Sequence, residues 1–177
     1  MNKTIVFIAA ALLHGAALAH ITFEEPTARA GTGYKAVLRI SHGCQGSATH
    51  TITMRIPAGF RGAKPMPKPG WTLTLQRAPL AEPYESHGRK ITDGVVEVTW
   101  KASSREAWLD NAHYDEFVLR GETPKQPGAL WFKVLQLCET GRWDWSEIPT
   151  TGTDTRDLKA PAVLLDVQAN PHAGHAH

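Results

Sequence analysis

The sequence predicts an all-β fold, a sandwich or barrel of antiparallel strands, and three observations carry that prediction. Short runs rich in β-branched and aromatic residues recur along the chain, Gly and Pro signals separate them, and no segment keeps a helical period over three turns. Several runs also alternate with period two: in TITMRI, Ile52, Met54 and Ile56 share one face while Thr51, Thr53 and Arg55 share the other. Such alternation suits antiparallel sheets with one packed and one wet side.

The chain opens on a segment of a different kind. Residues 1–19 read as an export signal, with Lys3 as the positive start, Ile5 to Leu13 as the apolar stretch, and Ala17 and Ala19 where a signal peptidase needs small residues. The mature protein is expected to begin at His20 and to reside in the periplasm. The apolar stretch is too short to span a bilayer and is interrupted by His14 and Gly15, and no later segment is long and apolar enough for a membrane helix. A protein that does not span the membrane once the signal is cut is the expectation.

The strands follow in order. YKAVLRIS (34–41), THTITMRIP (49–57), WTLTLQRA (71–78), GVVEVTWKA (94–102), DEFVLRG (115–121) and ALWFKVLQLC (129–138) each read as one. Between the second and third lies PAGFRGAKPMPKPGW (57–71), whose four prolines and three glycines exclude a central strand or a helix and predict a long, stiff surface loop. SSREAWLDNAH (103–113) has room for one short helical turn. No internal repeat is visible. Residues 20–167 are expected to form a single domain, followed by a small, polar, His-rich tail over 168–177.

Nineteen Lys and Arg against seventeen Asp and Glu leave a formal net charge of +2, so there is no basic footprint for nucleic acid or an anionic membrane. Two cysteines, Cys44 and Cys138, in an exported chain favour a disulfide between them. It would close a loop of about 95 residues and contribute about 4 kcal/mol in the chain-entropy picture. A pair of soft metal ligands is the alternative, although neither cysteine has a CxxC partner.

Chemistry concentrates first at His20. A histidine at the amino terminus carries a free amine and a ring Nδ1 placed to hold one metal in a six-membered chelate, which no mid-chain histidine does. Amine and imidazole donors suit Cu(II) above other first-row ions, and binding must displace the amine proton. The bland reading is a frayed terminus. One residue would hold copper weakly, so a second donor is needed from the folded body, and His42 in SHGCQGS supplies it: it ends a predicted strand two residues from the expected disulfide. Its bland reading is a satisfied surface histidine. Of six tryptophans, Trp131, Trp143 and Trp145 fall near Cys138. Trp143 and Trp145 share parity on an extended segment, so they face one side, either as core or as the wall of a metal site. The tail histidines His172, His175 and His177 form an auxiliary, unspecific metal-gathering set. Glu24, Glu25, Asp115, Glu116 and Glu139 supply carboxylates, but no GxSxG, HExxH, Walker or Rossmann pattern is present, so hydrolase and nucleotide readings lack support.

Taken together, HITFEEPTARAGTGYKAVLRISHGC, MRIPAGF, KPGWTLTL, VEVTWKA, YDEFVLRG and the closing CETGRWDWSEIP resemble the exported YcnI-like proteins, the DUF1775 family, over about residues 20–167. The resemblance implies an immunoglobulin-like antiparallel β-sandwich that binds Cu(II) outside the cytoplasm and serves copper handling or delivery, with the copper ion and another copper-transport protein as partners. It also implies that His20 chelates copper through amine and ring and that Trp145 is the tryptophan standing close by. The family's better-known branch completes the site with a glutamate after the second strand; this chain reads ISHGCQGS there, with His42 nearest the required place. That exchange turns a one-histidine chelate into something like a two-histidine brace. A binding protein rather than an enzyme is expected, with a copper-dependent oxidative enzyme and a metal-free interaction or adhesion sandwich as the alternatives.

Overall fold

The computed structural model describes residues 20–171; the expected export signal (1–19) and the tail histidines His172, His175 and His177 lie outside the described residues. Eleven strands follow in chain order: β1 (Thr22–Phe23), β2 (Thr27–Arg29), β3 (Gly33–Ile40), β4 (Thr49–Arg55), β5 (Arg61–Pro65), β6 (Trp71–Ser86), β7 (Arg89–Ala102), β8 (Asp115–Glu122), β9 (Gly128–Cys138), β10 (Arg142–Trp145) and β11 (Val163–Gln168). A single 3₁₀ turn, Arg105–Ala107, occupies the segment where one helical turn was expected.

The strands form two sheets. One runs β1-β3-β8-β5; the other runs β2-β11-β9-β4-β7-β6, with β10 also pairing with β9. The pairings are antiparallel except for β11 with β2, which is parallel. The expected all-β sandwich is thus present, with one mixed sheet.

Period two places the core. On β3, Tyr34, Ala36, Leu38 and Ile40 are buried, and on β9 the buried positions are Leu130, Phe132, Val134, Gln136 and Cys138. These faces meet a filling of aromatic rings between the sheets. Phe132 lies edge-on to Phe23 at 5.0 Å and to Phe60 at 5.2 Å, and Phe117 takes Trp71 and Trp100 in the same way at 5.0 and 5.7 Å. Burial of each such side chain is worth about 1.5–3 kcal/mol before entropy. The Trp100 indole donates to Met66 O at 3.1 Å, so the polar atom of this buried ring is paired.

Two expectations need correction. The stretch 57–71 is not all loop, because Arg61–Pro65 forms β5. Its prolines and glycines exclude a central strand, but β5 is an edge strand that pairs only with β8, through an irregular register between Arg61 and Lys64. The third and fourth predicted strands also run on past Ala78 and begin before Gly94, as the two arms of one long hairpin. The turn takes His87 and Gly88 through positive φ, 47° and 70°, which suits a tight hairpin. Pro79 and Pro83 are tolerated in β6 because it is the sheet edge, and the register shifts between Pro79 and Tyr84.

Candidate metal centre

The segment after β3 is shaped by close packing. A Cβ on Gly43 would sit 1.7 Å from Ser47 O, so no side chain fits there. Gln45 and Gly46 then take positive φ, 52° and 85°, and Ser47 N–H bonds to Cys44 O at 3.0 Å, closing a tight reverse turn. Cys44 is joined to Cys138, the last residue of β9, with Cα atoms 5.8 Å apart. The disulfide expected from cysteine counting is present, and the soft-ligand alternative is removed because the described chain has no free cysteine. His42 therefore hangs from a backbone held by a glycine contact, a turn and a covalent bridge.

Beyond Cys138 the chain reverses through Glu139, Thr140 and Gly141, the last with φ 79°, and returns along β9 as β10. The residues of CETGRWDW thereby set Trp143 opposite Gln136 and Trp145 opposite Val134, on one side of the strand. Trp143 and Trp145 stack with centroids 5.1 Å apart, so the shared parity read from the sequence is realised. Trp145 is almost fully buried and belongs to the core, whereas Trp143 is half-buried.

The two histidines meet this indole. The His20 ring lies 6.4 Å from the Trp145 ring and the His42 ring 6.2 Å from it, each at an interplanar angle of 68°. Two imidazoles 22 residues apart in sequence are thus brought edge-on to one tryptophan. His42 Nδ1 stands 2.8 Å from Gly43 O. A carbonyl only accepts, so Nδ1 is the donor in this contact; in the neutral ring Nε2 then bears the lone pair, the tautomer common among metal-ligating histidines. His20 Nε2 is buried and has no hydrogen-bond partner among the described residues, as is also true of Trp143 Nε1. An unpaired buried polar atom costs about 1–3 kcal/mol, and a metal on Nδ1 of the same ring would leave Nε2 as it is.

Gln136 ties these parts together, and sequence reading missed it. Its amide nitrogen donates to His42 O and to Thr49 Oγ1, both at 2.8 Å, and its Oε1 accepts the Trp145 indole N–H at 3.1 Å. The signal was present: in ALWFKVLQLC, Gln136 stands in phase with Leu130, Phe132 and Val134, so a polar side chain had to point inward and be paired there. Asn111 is a second missed support, accepting the Gly43 N–H at 3.0 Å.

Not every candidate donor joins the site. Glu24 and Glu25 are exposed, and among the described residues no three His, Cys, Asp or Glu side chains gather as a metal cluster. The side-chain donors beside Trp145 are the two histidines, and a third nitrogen would be the amine created by cleavage before His20. Amine plus two imidazoles is a set suited to Cu(II), so the residues present fit that ion.

Comparison with known proteins supports the fold and the grouping. A family model described as a domain of unknown function, DUF1775, matches residues 20–167. A solved structure, titled an uncharacterized protein from Nocardia farcinica with an immunoglobulin-like fold, superposes with a TM-score of 0.63 at 21% identity, covering 84% of this chain and 97% of the other. The sandwich is therefore immunoglobulin-like. No curated protein matches the chain.

Proposed function

The chain belongs to the DUF1775 family, and from that premise and the two imidazoles that each approach Trp145 we propose that it is an exported Cu(II)-binding protein that receives, buffers or passes on copper in the periplasm. The observation that carries this reading is the placement of the His20 and His42 rings at 6.4 and 6.2 Å from the same indole. His20 contributes its amine and Nδ1, and His42 contributes the nitrogen that its Gly43 hydrogen bond leaves unprotonated. Trp145 and the Trp143 stacked on it wall one side, limiting water and lowering the local dielectric. Copper is cargo here: the protein holds the ion in a rigid setting and yields it to another copper-transport protein with better-placed donors.

Cutting the bond between Ala19 and His20 is the activating event, since an acylated His20 nitrogen is no amine. A mature chain starting at His20 should bind one Cu(II) at least about a hundredfold more tightly, some 2.7 kcal/mol, than the same chain with one extra residue in front. Equal affinities would rule out the chelate. The paramagnetic resonance spectrum of the copper-loaded protein should show nitrogens from two imidazoles, reduced to one by His42→Ala.

The two-imidazole set also supports an oxidative copper enzyme as a second reading, because a histidine brace has the same donors. Product formed above the free-copper background, with a reductant and peroxide on a defined substrate, would favour it over binding alone. A metal-free interaction sandwich draws support from the burial of Trp145; it predicts no specific binding at micromolar copper.

A further inference from the structure

Two cavities flank the edge strand β5, and they differ in chemistry. The first, of about 390 Å³, opens between the sheets where β5 and the β6–β7 hairpin lie side by side; its walls are mainly apolar, with Phe60, Leu73, Leu80 and Val95 among them, and Arg77 and Asp93 also line it. The second, of about 410 Å³, lies on the outer face of the smaller sheet and gathers Lys35, Lys64 and Arg120 around Met66 and Val118. Lys64 and Pro65 belong to both.

The cations of the second cavity are in register. Lys35 on β3 stands opposite Arg120 on β8, and Arg120 stands opposite Lys64 on β5, so three positive charges form one row across three strands. Like charges directly opposite one another destabilise a sheet. Other charged rows of the sheet are balanced, with Arg39 opposite Glu116 and Arg61 opposite Glu122. The row that borders the cavity has no carboxylate, and none of its three members makes an ion pair among the described residues. Arg120 reaches over Gly33, where a Cβ would sit 3.7 Å from its Nη2. Met66, which lines the second cavity with this row, and Leu75, which lines the first, are among the exposed large hydrophobic side chains, at 53% and 45%.

We propose that this edge binds a single-chain anionic amphiphile, its alkyl chain in the apolar cleft and its phosphate or carboxylate head on the Lys35–Arg120–Lys64 row. Both volumes fall in the range of small-molecule sites. A bare oxyanion would leave the apolar cleft unfilled, and a neutral apolar molecule would leave three cations uncompensated. An amphiphile straddling Lys64 answers both. The guanidinium of Arg120 supplies a planar two-pronged contact to a phosphate, with the lysines as point charges on either side. The inference is independent of copper.

The test is calorimetry on the mature protein with dodecyl phosphate kept monomeric, and with dodecyl maltoside and inorganic phosphate as comparisons. Saturable one-to-one binding of dodecyl phosphate is expected, at least about tenfold tighter than either comparison. Leu75→Asp and the pair Lys35→Glu with Lys64→Glu alter exposed side chains and should each weaken it by about tenfold or more while leaving the thermal midpoint and Cu(II) binding as they were. Rising salt should weaken the head contact. Absence of saturable binding, phosphate binding as tight as dodecyl phosphate, or indifference to both variants would overturn the proposal. So would sedimentation with phosphatidylglycerol vesicles that Leu75→Asp leaves undiminished, since that points to a membrane surface instead of a cleft.

Discussion

Trp145 donates its indole N–H to the Oε1 of Gln136 at 3.1 Å, while the other end of the same amide holds the carbonyl of His42 at 2.8 Å. One buried glutamine therefore couples the tryptophan of the candidate site to the loop that presents its second histidine. The Gln136–Trp145 bond is buried, so neither of those two groups has an alternative partner at low cost.

Replacing Gln136 with Leu removes the acceptor of Trp145 and the donor to both His42 O and Thr49 Oγ1, leaving buried polar atoms unpaired. A destabilisation of about 2–4 kcal/mol is expected in urea unfolding. The effect on copper should be separable: Gln136→Glu keeps the acceptor for Trp145 but loses the donor to His42, so it should alter the copper resonance parameters more than a stability-matched core variant such as Ile52→Val does.

Glycines near the site divide by cause. Gly43→Ala forces a Cβ to 1.7 Å from Ser47 O and should cost more than about 3 kcal/mol or prevent folding. Gly46→Ala meets nothing within 4 Å and is strained only by its φ of 85°, so about 1 kcal/mol is expected. Comparable losses in the two variants would contradict the close-approach argument.

The Cys44–Cys138 bridge spans a separation of 94 residues. Cys44→Ala with Cys138→Ala should lower stability by about 4 kcal/mol, read from the unfolding free energy extrapolated to water, with a steeper denaturant slope because the unfolded chain without the bridge exposes more surface. Since the bridge pins the His42 loop, the same variant should bind Cu(II) more weakly with His20 left intact.

Copper affinity should fall with pH below the range of the free amine. The metal displaces a proton from a group whose ordinary pKa is roughly 7.7–8.0, so the apparent constant should drop about tenfold per unit below pH 7 from this group alone. A titration between pH 5.5 and pH 8 by competition with a chelator of known affinity measures the slope; a flat profile would exclude the amine.

Tyr34 offers an alkaline test of the fold. Its hydroxyl donates to Glu25 O at 2.6 Å, and burial first, then the Glu25 charge, pushes its pKa above the ordinary 10.0. The folded state keeps the proton harder than the unfolded state, so this contribution is complete below the unfolded value and is lost as pH climbs toward the folded one. Wild type should lose more stability than Tyr34→Phe between pH 9 and pH 11 in parallel urea titrations.

Much of the sandwich was legible because period-two alternation is local. TITMRI and ALWFKVLQLC carry their inward faces in their spelling, and both lie where they were expected. β5 was hidden because an edge strand tolerates the Pro and Gly that would break a central one. The short pairings of β1 and β2 and the return of β10 along β9 escaped for a related reason: two to four residues hold too little pattern to register. At the site, His20, His42, Trp145 and the two cysteines were nameable from residue type and position. Gln136 was not named, although its phase in β9 marked it as buried.

The sequence by itself determined the class of fold, the disulfide partners and the identity of the candidate donors, because counts, alternation and position relative to an expected cleavage site are properties of a linear chain. Only the tertiary structure decided that His20 and His42 approach the same indole, that Gln136 couples the His42 loop to it, and that Lys35, Arg120 and Lys64 form one row. Those relationships join residues far apart in the chain, and they exist only once strand register sets which side chains stand face to face.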